Sequence, residues 1–464
     1  MNIDLDIHLT DLDTGKVNRI THFTEYSVVE DLMSPASNFS ATLAAVNSQR
    51  DFTAAGGQKC QVFFKGALQA TSITDERSEA TSGSSTDLQI AGRGVGRFLV
   101  DNVVDSKYLS MTDRTLFQVA ERITTPYRPS FITDVVTDGA ANRYMVAGKN
   151  PSYTTTNTKK VRTYFIPGTK TKSPGNKPTL DFEDVQQKGR KVRVKGSKQK
   201  FGKASPFYRG ITADSLKQTR IGPEERISDV LGKLCKQIAT HWWVGADGAL
   251  ILARPSYDLD GTVYGEGIVQ KWDRKVGRAV GGNVMQSQHE TSIATRHPEI
   301  VAWATGKPSK TAMGKALLKH VWSVKDPSPA FWKRTAAGKL GGRILPGGDR
   351  KVFKSIRNEK LIRRVCRGIF EERVIAAFSL EYQLQGHTIN GVMPVCDSMI
   401  NVHDERYRLT GKPYYITRVE RKLNMDGGRV TMIRLCPPKI WLHFDHDKTG
   451  DAEYEDHMVK AINW

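Results

Sequence analysis

Long apolar runs are missing from this 464-residue chain. The longest covers about the five residues 374–378, well below the ~18 residues that a membrane-spanning helix needs. The first residues, Met1-Asn2-Ile3-Asp4, also lack the basic stretch that opens a secretory signal peptide. We therefore expect a protein without a membrane span, made in the cytoplasm without a targeting signal.

Cysteine is scarce as well, and its spacing argues against the usual cysteine-based sites. The chain has five cysteines and no CxxC pair, so neither a disulfide framework nor a zinc ribbon is indicated. We expect buried free thiols, because an unpaired cysteine usually packs as a small apolar residue. No bound cofactor is expected. The cysteines are Cys60, Cys235, Cys366, Cys396 and Cys436.

Acidic residues are too few to balance the basic ones. The chain has 69 Lys and Arg against 49 Asp and Glu, a formal net charge of +20, and such an excess usually indicates an anionic partner. Fifteen basic and only three acidic residues fall in 158–210, a stretch rich in Gly, Pro, Ser and Thr. We interpret this basic segment as an insertion that contacts a partner or a lumen, or else as a merely solvated loop. The expected contact residues are Lys188, Arg190, Lys191, Arg193, Lys195, Lys198 and Lys200.

Segments in which apolar and polar residues alternate, the pattern typical of β-strands, are frequent in the sequence. Residues 3–9 alternate apolar and polar side chains ahead of a turn at 13–16, which predicts a strand entering a hairpin. Further strands are predicted at 39–43, 60–64 and 88–90. We therefore expect a small β-barrel over residues 1–105.

The alternation returns near the C-terminus. Residues 378–384 alternate, and segments 414–423 and 429–435 are joined by a turn rich in Asp and Gly, which predicts a hairpin. We expect a second barrel over 266–440, with a helix at about 355–371 and a second basic, glycine-rich segment at about 306–354. A C-terminal arm, 441–464, follows this barrel.

Two helices are predicted in the middle region, residues 106–265. The first carries an apolar stripe at 116–123, with Thr112 or Asp113 as its N-cap. The second starts near Pro223 and is followed by a hairpin at 242–252, so a helix packed on a hairpin is expected. The overall class is therefore α+β, β-rich and multidomain, with two tube-like barrels and helix and hairpin domains between them. The second helix's stripe is Ile227, Val230, Leu231, Leu234 and Ile238.

Several segments, in this order, resemble a known family. They are FSATL at 39–43, IAGRGVGRFLVD at 90–101 and DGALILARP at 247–255, then Gly386, VHDER at 402–406, GKPYYITRVE at 411–420 and DGG at 426–428. In this order they resemble the baseplate hub proteins of Mu-type contractile-tailed bacteriophages, which are related to the N-terminal part of type VI secretion spike proteins. The likeness spans nearly the whole chain, although the basic segment and the C-terminal arm depart from the pattern.

The resemblance implies a structural protein of the virion. A homotrimer with two barrels per chain would form a pseudo-sixfold ring between the hexameric tail tube and the trimeric central spike. Other baseplate proteins and the tape measure protein are further expected partners, and DNA would pass through the channel with transient, non-specific contacts. The arm residues Trp441, Phe444 and Trp464 are expected to anchor an interface, because an arm has little core of its own.

Catalytic function is the main rival class, and its local motifs are weak here. Gly92-x-Gly94-x-Gly96 suggests a dinucleotide loop, yet its third glycine comes one residue early, and no helical periodicity follows it. The cluster at 443–447, with two His and two Asp, is the best metal candidate, but so short a segment can rarely direct all its ligands at one ion. We expect this protein to have no enzymatic activity. Two alternatives to the structural function stay open, a nucleic-acid-binding protein and a peptidoglycan hydrolase.

Overall fold

The computed structural model describes residues 5–21, 23–44, 56–64, 66–81, 86–112, 116–128, 131–137, 218–238, 241–253, 267–305, 318–326, 328, 332–334, 340–343, 348–353, 359–389, 393–424 and 428–437. The basic segment 158–210 and the arm 441–464 lie outside these ranges. Within them, the predicted α+β, β-rich class is confirmed by one large, mainly antiparallel sheet with small sheets and helices around it.

Seven strands form the first repeat of this large sheet. The apolar residues of the first strand point inward, with Leu5, Ile7 and Leu9 all buried, as the alternation predicts. The spatial order is β2-β1-β5-β6-β7-β4-β3, and its two end strands follow each other in the chain, so the sheet curves around one core. The strands are β1 (Leu5–Thr10), β2 (Val17–Ile20), β3 (Glu25–Asp31), β4 (Asn38–Ala44), β5 (Lys59–Phe64), β6 (Ala67–Thr81) and β7 (Thr86–Gly94).

The middle region packs helices and two small sheets onto a separate core. One face of each helix supplies apolar residues, which meet the buried Trp242 of the hairpin, so the predicted helix on a hairpin is confirmed. Its elements are α1 (Arg97–Asp101), β8 (Ser110–Thr112), α2 (Leu116–Thr124), β9 (Val135–Thr137), β10 (Gln218–Arg220), α3 (Ile227–Ile238), β11 (His241–Val244) and β12 (Leu250–Ala253).

A second set of seven strands forms the second repeat, which a small domain interrupts. Its strands are β13 (Ile268–Asp273), β14 (Arg278–Gly282), β15 (Val284–Thr291), β21 (Phe378–Gln385), β22 (Ser398–Asp404), β23 (Leu409–Asn424) and β24 (Gly428–Cys436). The interrupting domain contains β16 (Glu299–Thr305), β17 (Leu318–Lys325), β18 (Trp332–Arg334), β19 (Leu340–Arg343), β20 (Asp349–Phe353) and α4 (Glu359–Ala376). The helix packs its buried Ile362, Cys366 and Phe370 into the core of this repeat.

The two repeats share their strand order. The second repeat runs β14-β13-β22-β23-β24-β21-β15, position for position the order of the first. Both long strands, β6 and β23, carry two bulges that are six residues apart, at Gln69 and Asp75 and at Gly411 and Thr417. One pairing differs, because β1 lies antiparallel to β5 whereas β13 lies parallel to β22. The bulges therefore align β6 with β23 residue by residue.

Some expectations need correction in detail. The helix predicted at 355–371 runs from Glu359 to Ala376, and Thr112 ends a strand rather than capping the next helix. A helix does follow the Gly92-x-Gly94-x-Gly96 stretch, although it has only five residues. The described part of the basic, glycine-rich segment at 306–354 contains four strands of three to eight residues, which its sequence does not suggest because glycine and lysine are rare in strands.

Candidate assembly site: the joint between the two repeats

One pairing of strands joins the two repeats into a continuous sheet. Residues Tyr26 to Asp31 of β3 lie antiparallel to residues Leu423 to Arg418 of β23. The same edge of β23 pairs with β22 along its first half, while β24 covers the opposite edge. The long strand β23 thus belongs to the second repeat and also provides a docking edge for the first. We call this β3–β23 pairing the joint.

Leu32 fixes the end of the joint. Its backbone N–H donates to the carbonyl oxygen of Thr417 at 2.9 Å, at the bulge of β23. Its side chain is 5% exposed and lies in the apolar core of the second repeat, together with Ile400 and Tyr415. A residue of the first repeat therefore completes the core of the second.

Arg421 is a charged side chain buried at the joint, with 2% of its surface exposed. Its Nη2 donates to the carbonyl oxygen of Pro394 at 2.5 Å and lies 4.0 Å from Oε2 of Glu30. Burial raises the pKa of Glu30, and the positive charge of Arg421 opposes that rise. The pair crosses the joint, because Glu30 belongs to β3 and Arg421 to β23.

His387 links both repeats by a chain of hydrogen bonds. Thr431 Oγ1 donates to the Gly386 carbonyl at 2.8 Å, so it accepts from His387 Nδ1 at 3.0 Å. His387 Nε2 then accepts from the Tyr26 hydroxyl at 2.5 Å. Burial, together with the positive charges of Arg421 and Arg429, lowers the pKa of His387 to about 3. The ring is therefore neutral near pH 7, and the joint holds a fixed protonation state.

The buried polar groups elsewhere in the second repeat also serve packing. Tyr382 donates to Asp404 Oδ2 at 2.8 Å, and Tyr415 donates to Asp397. Burial raises the pKa of both phenols and, in the first repeat, raises that of the Cys60 thiol to about 12. Phenols and thiols held protonated in this way are poor nucleophiles, so these three groups serve packing.

The prediction of buried thiols is confirmed, because all five cysteines are buried and none of them forms a disulfide bond. Among the described residues, no three His, Cys, Asp or Glu side chains are placed to hold a metal ion together, and the cluster at 443–447 lies outside them. The helices within the described ranges include none that is long and apolar enough to cross a membrane.

The glycines of the suspected dinucleotide loop have a packing role. A Cβ at Gly92 would lie 2.3 Å from the carbonyl oxygen of Ile73, and one at Gly96 would lie 1.8 Å from that of Pro35. Only glycine allows these backbones to approach so closely. The spacing of the motif therefore follows from strand packing.

The site residues predicted from sequence all lie outside the described ranges, so the structure neither brings them together nor separates them. They are Lys188, Arg190, Lys191, Arg193, Lys195, Lys198, Lys200, Trp441, Phe444 and Trp464. The joint itself was missed. One signal for it was present, because Arg421 occupies an inward position in the alternation of the strand at 414–423, where an unpaired charge would be costly.

Two solved structures share this fold over almost the whole chain. The tail protein from Neisseria meningitidis MC58 matches with a TM-score of 0.61 at 17% identity, covering 95% of this chain and 98% of its own. The 43 kDa tail protein of prophage MuSo2 from Shewanella oneidensis matches with a TM-score of 0.59 at 16% identity, covering 94% and 99%. No protein-family model matches the chain, and no curated protein matches it.

The fold of this chain is therefore that of phage tail proteins. This confirms the fold implied by the resemblance to baseplate hub proteins. At such low identity the likeness extends to the fold alone.

Proposed function

We propose that this protein is a structural baseplate hub of a contractile phage tail, a homotrimeric adaptor between the hexameric tail tube and the trimeric central spike. The observation that carries the proposal is the repeat: two seven-stranded units with one strand order stand in one chain. A ring of three such chains presents six similar units on one face, while its true symmetry remains threefold. One kind of subunit can therefore contact both a sixfold-symmetric tail tube and a threefold-symmetric spike.

The proposed role is mechanical. The ring surrounds a channel for DNA, and the positive charge of the chain provides sequence-independent contact with DNA or with acidic surfaces of neighbouring proteins. The tail tube protein, the central spike protein, other baseplate proteins and the tape measure protein are its proposed partners. We place the protein in the virion after assembly in the host cytoplasm, and we propose no catalytic activity.

Light scattering of the purified full chain, over a range of concentrations, tests the trimer. We expect a mass three times the 51.7 kDa of one chain, independent of dilution. A persistent monomer would contradict the proposed adaptor, because a single chain presents only two of the six units.

The net charge of +20 favours one second candidate, a nucleic-acid-binding protein. A DNA affinity that falls steeply with salt would support that function, since each neutralised phosphate releases counterions. A weak affinity with a flat response to salt would remove this candidate. The measurement uses short double-stranded DNA of unrelated sequences between about 50 and 200 mM salt.

A further inference from the structure

Two strand edges have no pairing strand among the described residues, one at the end of the second repeat and one on the second half of β6 in the first. Residues Gln286–Thr291 of β15 pair with β21 along one edge, and the other edge carries no strand among the described residues. Residues Glu76–Thr81 of β6 pair with β7 along one edge, and within the same ranges their other edge is likewise uncovered. Exposed strand edges readily pair with another chain, so proteins usually cover them.

The repeat identifies these two edges as the counterparts of the joint. In the first repeat, Val28 of β3 lies opposite Phe39 of β4, which lies opposite Gly92 of β7. In the second repeat, His289 of β15 lies opposite Leu380 of β21, which lies opposite Leu435 of β24, the counterpart of Gly92. His289 of β15 therefore corresponds to Val28 of β3. The matching bulges align residues 76–81 of β6 with residues 418–423 of β23. The two strands that form the joint therefore have equivalents, β15 and the second half of β6, whose corresponding edges are unpaired within the described part of the chain. These equivalents are too far apart in strand order to meet within one copy.

We propose that β15 of one copy pairs antiparallel with β6 of a second copy, in the register of the joint, with Glu290 opposite Ser78. This inference rests on the proposed trimeric hub and names the surfaces that close its ring. Because the two edges differ, the contact is head-to-tail, and three such contacts together with three joints make a closed ring.

The exposure of apolar residues supports this interface. The repeat makes Ile293 the counterpart of Leu32, which the joint buries in the core of the neighbouring repeat. Leu32 is 5% exposed whereas Ile293 is 50% exposed, and Met285 at the other end of β15 is 52% exposed. Pairing with a second copy in this register would cover Ile293 as the joint covers Leu32, and apolar burial is the main driving force of association.

A buried polar atom points the same way. His289 Nε2 is buried and has no hydrogen-bond partner among the described residues, although its ring packs against Phe378 and Tyr407. The proposed register places Glu79 of the second copy directly opposite His289, on the same face of the sheet. A carboxylate there can accept a hydrogen bond from the imidazole; within one chain, Glu79 Oε2 lies 3.1 Å from Arg77 Nη2.

Disulfide trapping tests the register in the full chain. Ser78→Cys and Glu290→Cys on one chain would place two thiols at opposed Cα positions ~4.5–5.5 Å apart, within disulfide reach. Both positions are exposed, and the native cysteines are buried and so interfere little. We expect mild oxidation to give a covalent trimer on a non-reducing gel. The control, Ser78→Cys with Gln286→Cys, moves the second thiol by four residues, about 13 Å, and should give no covalent trimer.

The outcomes separate this inference from the proposed function. A trimer by light scattering that does not cross-link would overturn the interface but leave the trimeric hub standing. Covalent chains without a closed trimer would support the interface and contradict the trimer, whereas a monomer without cross-links would overturn both. Ile293→Asp provides an independent readout, because we expect it to shift the mass from trimer to monomer while circular dichroism stays unchanged. An unaltered trimer mass would contradict the interface.

Discussion

The two repeats have the same strand order around different interiors. The second repeat buries three tyrosines, Tyr382, Tyr414 and Tyr415, whereas the buried rings described in the first are Tyr26 and phenylalanines such as Phe39 and Phe64. Tyrosines need hydrogen-bond partners when buried, and Asp404 and Asp397 supply them in the second repeat. The repeats have thus kept strand order and bulge spacing while their core chemistry differs. We therefore base the equivalence of the two repeats in the assembly on their backbone path and strand edges, and not on their core side chains.

The joint is closed, whereas the equivalent edges of β15 and β6 are unpaired among the residues that the structure describes. The joint buries Leu32, Arg421 and His387, while the equivalent edges expose Ile293 and Glu79. In our account the same geometry stabilises the fold at one place and the assembly at the other. Substitutions at equivalent positions should therefore affect different measurements.

The largest expected effect is that of Arg421→Met at the joint. It leaves Glu30 close to the core without the nearest buried cation, which should cost about 3–5 kcal/mol of unfolding free energy. Arg434→Met is the control on the neighbouring strand β24, because Arg434 is 45% exposed and pairs with Glu381 away from the joint, and we expect a loss below about 1 kcal/mol. Urea unfolding followed by circular dichroism measures both, and equal losses would contradict the role of Arg421.

The next effect distinguishes the joint from its open counterpart. Leu32→Ala should lower the unfolding free energy by about 2–4 kcal/mol, because it leaves a cavity in the core of the second repeat. Ile293→Ala should change the unfolding free energy of the dissociated chain by at most ~0.5 kcal/mol, since its side chain is half exposed. Urea unfolding at low protein concentration makes this comparison. Similar losses for both variants would mean that Ile293 is already buried in the single chain, and would contradict an open edge at β15.

The buried, neutral His387 should make the unfolding free energy depend on pH, with a smaller effect than the two substitutions above. Its folded-state pKa of about 3 lies below the ordinary value of 6.5, so between these values the unfolded chain binds a proton that the folded chain does not. Stability therefore falls as pH falls below 6.5, by about 1.4 kcal/mol per pH unit. Between pH 6.5 and 5 the wild type should lose about 2 kcal/mol more than His387→Gln, which cannot titrate there. Parallel pH profiles of the two proteins would refute a neutral, buried His387.

The smallest effect concerns the interior of the second repeat. Tyr382→Phe removes a hydrogen bond to Asp404, whose other carboxylate oxygen still accepts from the backbone of Arg406 and Tyr407. We expect a loss of about 1 kcal/mol in thermal or urea unfolding, with unchanged oligomeric mass. A loss above about 3 kcal/mol would indicate that this tyrosine does more than fill space.

Local periodicity was enough to predict much of this fold. Strands at 39–43, 60–64 and 378–384 and the helix stripes at 116–123 and 227–238 follow from patterns of two and 3.6 residues, because each element buries one face. The short strands of 318–353 were missed, since glycine and lysine there give no alternation.

The joint could not be predicted in the same way. The pairing of β3 with β23 connects residues almost 400 positions apart, and a strand's own sequence carries little record of its distant neighbour. His387 and Tyr26 likewise meet only in the folded chain, 361 residues apart. The equivalence of the repeats became visible only through strand order and bulges, because their core residues differ.

Images of the purified oligomer test the central claim most directly. Class averages of negatively stained particles, taken from the light-scattering peak, show how many units surround the axis. Our account predicts a closed ring with six similar densities around an open channel, since each of three chains contributes two repeats in alternation. A particle with three compact lobes, or with an axis filled by protein, would contradict the equivalence of the two repeats in the assembly.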